Sequence, residues 1–409
     1  MMINLISVRS TLTDSFVSVF SFIRNNVRSG LVYTFSLLLG YVDFRFISRS
    51  ELTKIAKNEE RIWYYGDQHS VSITYPSEAD THPGLIDAVG EYTPDKSFVC
   101  DFRDVDLVGP YAIVTSHEKR VVLESAGTTR RQFGIAILKY VAQGHVLEAI
   151  ELLFGLSLRE AEAEIDTAVS LVGLRSKSFF HWPIEYAPQV RAIKKYMDET
   201  GNRPKILLDQ NPPNWKIEYL EYLGVHPDQI VEWNWRKARV DTFIIPIHHA
   251  NKLDEPRDWS PDDLRWIKSR VLENERDCSR DGGCFSSRVY ISRADATTRQ
   301  VVNEPELMNV LSDFGFKRYK ISELTVLERA KLFYQAEVII SPHGAGLANL
   351  IFAESPIVVE LFQRDLVRPT FFTLSRMFGY EYRYLLCERQ NEHMRVEPDT
   401  LNELLQELT

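Results

Sequence analysis

The chain has 409 residues, of which 44% are hydrophobic and 26% charged, and its net charge at pH 7 is −9. This length exceeds a single typical hydrophobic core and predicts about two domains. The acidic balance argues against general nucleic-acid binding, which needs a basic surface, but it allows a local basic pocket for a phosphate.

The first 58 residues are predicted to form an N-terminal helical arm. Two apolar runs, residues 16–22 and 31–42, flank Arg24 and Arg28. Neither run reaches the roughly 18 uninterrupted apolar residues that indicate a membrane-spanning helix, and no signal peptide with a cleavage site is evident. The interleaved arginines suit a helix lying on a membrane surface, which makes residues 1–45 a candidate peripheral membrane contact. The alternative is an arm packed on the domain.

The cysteines do not form a disulfide framework, and their spacing is not that of a zinc site. Reduced thiols in a cytoplasmic protein are the favoured interpretation, with a local disulfide between Cys278 and Cys284 as the alternative. The expected location is therefore the cytoplasm, at the inner face of the cell membrane if the arm binds it.

Residues 59–250 are predicted to form a first α/β domain. The candidate strands are 98–102, 112–115, 169–173, 205–209, 229–232 and 242–246, and the helical patterns are 132–154, 184–200 and 215–223. This alternation predicts βαβ units.

Residues 260–409 are predicted to form a second α/β domain, which ends in helices. Ser260 and Pro261 have the pattern of a helix start. The candidate strands are 288–291, 316–320, 338–340 and 357–361, and the helices are 303–314, 325–336, 370–378 and 398–408. Thr325 and Glu328 predict a capping box. Together the halves predict two doubly wound sheets facing across a cleft, with ligands at the carboxyl ends of strands.

Residues 341–349, SPHGAGLAN, form a glycine loop between a strand and a short helix. Such a loop directs backbone N–H groups and a helix N-terminus at one point, which favours an anion such as a diphosphate. Gly344 and Gly346 let the backbone approach a phosphate closely, and His343 is a candidate hydrogen-bond donor. Glu360, at the end of the next strand, is a candidate acceptor for ribose hydroxyls or a salt-bridge partner of Arg364. Turn geometry alone is the alternative explanation of the glycines.

Arg293 and Arg299 follow another candidate strand, and Asn303 is placed to cap the next helix. Two guanidiniums beside a helix N-terminus suit a diphosphate, because arginine binds oxyanions with two parallel hydrogen bonds. The alternative is that these arginines pair with Glu304 and Glu306 on the surface.

His181 and Glu185 lie in the first half, between an apolar segment and a helix. Either residue type can act as the general base that deprotonates an acceptor hydroxyl. The alternative is a packed histidine and a glutamate that stabilises the first turn of a helix.

Three segments together resemble glycosyltransferase family 61. They are residues 181–188 (HWPIEYAP), 291–307 (ISRADATTRQVVNEPEL) and 336–362 (AEVIISPHGAGLANLIFAESPIVVELF). The resemblance implies a GT-B fold, an inverting mechanism and a nucleotide-sugar donor, commonly a UDP-sugar. The donor-binding residues that it implies are Arg293, Arg299, Asn303, His343, Gly344, Ala345, Gly346, Asn349 and Glu360. On the acceptor side it implies His181 and Glu185, although many members carry an aliphatic residue and an aspartate at the positions of Pro183 and Glu185.

The expected acceptor is a glycan or a lipid-linked glycan. GT-B enzymes neutralise the leaving diphosphate with a helix N-terminus and basic side chains, so no metal or other cofactor is expected. Asp104-Val105-Asp106 resembles the metal motif of a different glycosyltransferase fold and is assigned to a charged loop. Two alternative functions are a nucleotide-sugar epimerase and a non-catalytic polysaccharide-assembly protein.

Overall fold

The computed structural model describes residues 46–75, 82–94, 96–127, 129–247, 259–273 and 285–408. Within these ranges the fold consists of a nine-stranded sheet in the first half, a six-stranded sheet in the second and a separate two-stranded sheet. His248, His249, Cys278, Cys284 and residues 1–45 lie outside the described residues.

The first half contains most of the strands. Its elements are β1 (Phe46–Ile47), α1 (Arg49–Asn58), β2 (Ile62–Tyr64), β3 (Val71–Ile73), α2 (Pro83–Ile86), β4 (Gly90–Tyr92), β5 (Phe98–Val108), β6 (Ile113–Thr115), β7 (Val121–Val122), α3 (Arg130–Ala142), α4 (Val146–Phe154), β8 (Ala163–Ser170), α5 (Gln189–Thr200), β9 (Lys205–Asp209), α6 (Asn214–Tyr222), β10 (Ile230–Trp233) and β11 (Lys237–Ile247).

The first sheet is mixed, which differs from the doubly wound sheet that the sequence predicts. Its order is β1-β7-β6-β5-β11-β8-β9-β10, with β2 also paired to β5. Strands β11, β8, β9 and β10 are parallel neighbours, as expected for βαβ units, whereas β5 runs antiparallel to β11, β6 and β2. The connection from β5 to β6 is too short for a crossover helix, so only an antiparallel pairing is open to it.

Two predictions about this half need correction. Strand β5 continues to Val108, so Asp104-Val105-Asp106 lies in a strand and not in a loop, and Asp106 accepts a hydrogen bond from Lys119 at 2.6 Å. Residues 46–58, assigned to the arm, are part of the first half, because β1 pairs with β7 and α1 buries Leu52 and Ala56. A charged strand and an edge strand both lack the long apolar run that indicates a strand in a sequence.

The second half begins after the residues that are not described between 247 and 259. Its elements are α7 (Pro261–Glu273), β12 (Arg288–Ile291), α8 (Glu304–Asp313), β13 (Lys317–Tyr319), α9 (Val326–Gln335), β14 (Val338–Pro342), β15 (Ile357–Gln363), α10 (Thr370–Met377), β16 (Glu381–Gln390), β17 (His393–Arg395) and α11 (Pro398–Glu407). The predicted capping box at Thr325 and Glu328 is confirmed at the start of α9.

The second sheet has the order β13-β12-β14-β15-β16-β17, and all neighbours except β16 and β17 are parallel. Counted from β12, its parallel part has the doubly wound order 2-1-3-4-5. The chain continues from β12 to β13 on one side of β12 and then crosses to β14 on the other side. The carboxyl ends of these two strands therefore form the crevice in which such sheets bind ligands.

The two halves share an apolar interface. Tyr219 of α6 stacks on Phe352 with ring centroids 6.3 Å apart, and Leu264 and Ile267 of α7 are buried in the same cluster. Burial of this kind favours a defined position of one sheet against the other. Cys100 and Cys387 are free and buried. No helix in the described ranges has the length and hydropathy needed to cross a bilayer.

Candidate active site

A cavity of about 430 Å³ lies at the switch point between β12 and β14. Three loops of the second half surround it: the loops that follow β12, β13 and β14. The first half contributes Phe179 and Trp215. The remaining lining residues are Ile291, Ser292, Arg293, Asp295, Ala296, Ile321, Ser322, Arg329, Ser341, Ala345 and Gly346. The structure therefore brings the predicted Arg293, Ala345 and Gly346 to one space.

Arg293 is a cation without a bonded counter-ion. Among the described residues its Nη2 donates to the carbonyl oxygen of Thr298 at 3.3 Å, and its buried Nε has no hydrogen-bond partner. Burial, together with the neighbouring Arg299, lowers the pKa of Arg293 to about 10, so the group is still charged at neutral pH. The alternative surface pairing is wrong, because Glu304 binds Arg318 at 2.9 Å and Glu306 binds Arg395 at 3.0 Å.

Arg299 and Arg368 extend this positive region over β15. Burial, followed by the charge of Arg368, lowers the pKa of Arg299, and Glu360 acts in the opposite direction. Arg299 itself has a left-handed backbone with φ of 58°, which is uncommon for a residue other than glycine. Its backbone N–H is held by the carbonyl oxygen of Glu392 at 2.6 Å. That bond fixes the unusual conformation beside the crevice.

His343 is oriented by a buried carboxylate. Its Nδ1 lies 2.5 Å from Oε1 of Glu360, and the hydroxyl of Tyr382 donates to Oε2 of the same glutamate at 2.7 Å. Because a carboxylate only accepts, Nδ1 carries the proton and Nε2 is left for another partner. The imidazole ring stacks on Phe362 with centroids 5.3 Å apart. This arrangement fixes the ring at the base of the glycine loop.

Three of the predicted donor-binding side chains are engaged elsewhere. Glu360 is fully buried behind His343, so it is not placed to bind a ribose directly, and it does not pair with Arg364. Asn303 occupies the N-cap position of α8, but its side chain makes no capping hydrogen bond; its amide exchanges hydrogen bonds with the backbone of Val396 at 2.8 and 3.1 Å. Asn349 is fully buried and donates to the carbonyl oxygen of Gly346 at 2.8 Å. All three support the loops instead of lining the cavity.

His181 and Glu185 form a pair on a single π-helical turn, Trp182–Tyr186. The N–H of Ala187 donates to the carbonyl oxygen of Trp182 at 2.8 Å, and Nδ1 of His181 lies 2.8 Å from Oε1 of Glu185. Glu185 is buried, whereas the side chain of His181 is 17% exposed. Turns of this kind often mark functional positions.

A row of aromatic rings connects the π-helical turn with His343 at the base of the glycine loop. The ring centroids of His181 and Phe180 are 4.9 Å apart, and those of Phe180 and Phe371 are 5.5 Å apart. Phe371 in turn lies 5.4 Å from His343. The two predicted histidines of the site are therefore brought to opposite sides of one aromatic cluster.

Comparison with known proteins agrees with this geometry. The family model described as glycosyltransferase 61 matches residues 179–359, which contain the π-helical turn, both arginines and the glycine loop. This segment is a glycosyltransferase family 61 domain. It begins at Phe179 of the cavity wall and ends one residue before Glu360, so the family 61 domain includes elements of both sheets.

The curated relatives match a smaller part of this chain than the family model does. An EGF domain-specific O-linked N-acetylglucosamine transferase of Canis lupus familiaris is 30% identical over 111 residues, or 26% of this chain and 20% of its own. The proteins of the same description from Mus musculus and Gallus gallus are 32% and 30% identical over 101 residues, covering 23% of this chain and 19% of theirs. The chain thus spans about a fifth of the length of these relatives.

Several residues of the site are absent from the sequence prediction. They are Phe179, Trp215, Arg329, Arg368 and Tyr382. Only Arg329 carried a usable signal, since it occupies the apolar face of α9 together with Val326, Ala330 and Phe333. One group of potential metal ligands, Asp67, His69 and Asp262, occurs in the described residues, and none of the three lines the cavity.

Proposed function

We propose that the protein is an inverting glycosyltransferase whose cavity holds a nucleoside diphosphate sugar, with UDP-sugars as the first candidates. The observation that carries this proposal is the half-buried Arg293 guanidinium beside the glycine loop at the switch point. Its buried Nε has no hydrogen-bond partner, and no carboxylate among the described residues is bonded to it. A buried cation is costly unless it is paired, so a site of this kind favours an anionic ligand. The volume of about 430 Å³ is in the range of small-molecule sites.

In this proposal the diphosphate contacts Arg293, Arg299 and the N-terminal end of the helix Ala345–Phe352. A protonated His343 donates to it from Nε2, and Glu360 positions His343. Arginine and a helix N-terminus favour oxyanions for the same electrostatic reason, and they do so more strongly as negative charge develops on a leaving group. Such a site does not require a metal. The two halves correspond to the donor and acceptor domains of a GT-B arrangement.

The acceptor hydroxyl attacks the anomeric carbon on the face opposite the diphosphate. As the new carbon–oxygen bond forms, the bond to the diphosphate breaks and its electron pair leaves with the diphosphate. We assign His181 as the base that takes the hydroxyl proton on Nε2, because its Nδ1 is occupied by Glu185 at 2.8 Å. Glu185 is then a positioning residue. The proposed acceptor is a glycan or a lipid-linked glycan. The proposed contact of the protein with a membrane is through residues 1–45.

The proposal is tested by nucleotide binding, measured as a shift in melting temperature. UDP and UDP-N-acetylglucosamine are expected to raise the melting temperature by mass action, and Arg293→Ala is expected to abolish the shift. Arg389→Ala is the matched control, because it removes the same charge from an exposed pair with Asp365 at 2.6 Å. An Arg293→Ala variant with unchanged nucleotide binding would overturn the assignment.

Two outcomes would point to the alternative functions. An epimerase would isomerise the UDP-sugar in the absence of any acceptor, whereas a transferase would give at most slow hydrolysis. A non-catalytic assembly protein would show no thermal shift with any nucleotide.

A further inference from the structure

Arg329 is a second buried guanidinium in the same cavity. It is 5% exposed and lies on α9. Its Nε donates to the carbonyl oxygen of Ile321 at 2.9 Å, and its guanidinium lies 5.0 Å from the ring centroid of Phe179. Its Nη1 is buried and has no hydrogen-bond partner among the described residues.

The nearby carboxylates do not compensate Arg329. Glu328 is held by the capping box at Thr325, and Glu218 accepts a hydrogen bond from the N–H of Val326 at 2.8 Å. Burial lowers the pKa of Arg329, although Tyr219, Glu218 and Glu328 act in the opposite direction. A buried polar nitrogen without a partner is destabilising, so a ligand oxygen at this place would remove a cost that the free protein carries.

The position of Arg329 separates it from the diphosphate residues. Ile321 and Ser322 follow β13, the edge strand, whereas the glycine loop follows β14, two strands further along the sheet. Neighbouring strands are about 4.8 Å apart, so the axes of β13 and β14 lie roughly 10 Å apart, while the side chain of Ile321 packs against Gly346 and closes the cavity between the two loops. A ligand that contacts both the glycine loop and the side of β13 therefore extends beyond one phosphate group, as a nucleotide does.

The walls around Arg329 are flat and apolar. Phe179 and Trp215 contact each other edge to face with centroids 5.2 Å apart, and Ile291 and Ile321 line the same space. A group that fits here has apolar faces and an oxygen acceptor at its edge. A nucleobase with an exocyclic carbonyl oxygen has both properties.

We infer that Arg329 is the residue that selects the nucleobase of the donor, with its Nη1 donating to a carbonyl oxygen of uracil. This inference rests on the proposed function and deepens it by naming the residue that recognises the base. Adenine has no carbonyl oxygen, and its exocyclic amino group is a donor that does not accept from Nη1. Sites that bind a ligand oxygen with a buried donor discriminate strongly against ligands that lack it.

The test uses calorimetric titration of the full chain with UDP, ADP and inorganic pyrophosphate. The wild-type protein is expected to bind UDP more tightly than ADP. Arg329→Met keeps an unbranched side chain against Phe179 but has no donor. It is expected to bind UDP about 10- to 100-fold more weakly, the effect of one hydrogen bond to a charged group. Its affinity for pyrophosphate should be unchanged.

A structural role of Arg329 would give a different result. If Arg329 only anchors Phe179 and the loop after β13, Arg329→Met would weaken UDP and pyrophosphate equally, which would overturn the inference. Arg329→Lys, which keeps the charge, is a second variant in case the methionine variant does not fold, and it should retain part of the preference for UDP.

The inference and the proposed function fail in distinguishable ways. A wild-type protein that binds ADP as tightly as UDP overturns the role of Arg329 while leaving a nucleotide site in place. A wild-type protein that binds neither nucleotide overturns the donor site itself.

Discussion

The guanidinium of Arg293 occupies the space in which a β-carbon on Gly344 would lie. Gly344 has an extended backbone with φ of 175°, a conformation open to any residue. Its glycine character is therefore required by the close approach of an arginine and not by the turn. The loop after β12 and the loop after β14 are coupled at this one point, where the proposed diphosphate is bound.

Gly344→Ala is expected to preserve the fold and to impair anion binding, because the new methyl group displaces the Arg293 side chain. Loss of one hydrogen bond to a charged group predicts pyrophosphate binding about 10- to 100-fold weaker, measured by calorimetry. In an Arg293→Ala background the same substitution should have little further effect, since coupled residues are not additive. Additive losses in this double-mutant cycle would show that the two residues act separately.

Glu360→Gln is expected to destabilise the protein through His343. Glutamine keeps the shape of the side chain but removes the charge that accepts from both His343 and Tyr382. The free energy of unfolding should fall by about 1.5–3 kcal/mol in denaturant titrations. Tyr382→Phe removes one hydrogen bond to the same carboxylate and leaves its contact with His343, so it should cost less than Glu360→Gln, about 1.5 kcal/mol. Equal losses for the two variants would argue against a charged contact with His343.

His181→Asn is expected to lower kcat by about 10²- to 10⁴-fold, the usual contribution of a general base, with donor binding unchanged. Glu185→Gln should have a smaller effect, because His181 keeps its Nε2 and loses only the carboxylate behind it. The measurement is a steady-state transfer assay, with the anomeric configuration of the product determined by NMR. If Glu185→Gln is the more damaging substitution, the roles of the two residues are reversed.

Lys216→Met is expected to be strongly destabilising. Lys216 is fully buried, donates to Asp209 at 2.6 Å and lies 4.4 Å from the ring centroid of Trp182 on the π-helical turn. Removing one partner of a buried pair leaves an uncompensated charge and costs about 3–5 kcal/mol. Lys195→Met, at a half-exposed pair with Glu199 on α5, is the control and should cost less than about 1 kcal/mol. Thermal and denaturant unfolding of both variants check this prediction.

Much of the second half could be predicted from its sequence. Strand β12, the helix start at Thr325 and the glycine loop each depend on residues within one short segment. Strands β16 and β5 are different, because their charged residues do not alternate clearly. Strand β5 also pairs with β11, which lies in a distant segment of the chain. A local pattern contains information on backbone periodicity but not on which edge of a sheet a segment joins.

From the amino-acid sequence it follows that arginines, a histidine and two glycines come directly after strands of the second half, and this pattern predicts an anion site at their carboxyl ends. The contacts of each side chain depend on the packing of segments that are distant in the sequence. Glu360 faces His343 and not a ligand, Asn303 holds the backbone 93 residues later, and Arg329 enters the cavity from α9. The physical reason is that hydrogen bonds and burial act over distances of a few ångströms between residues that are far apart along the chain.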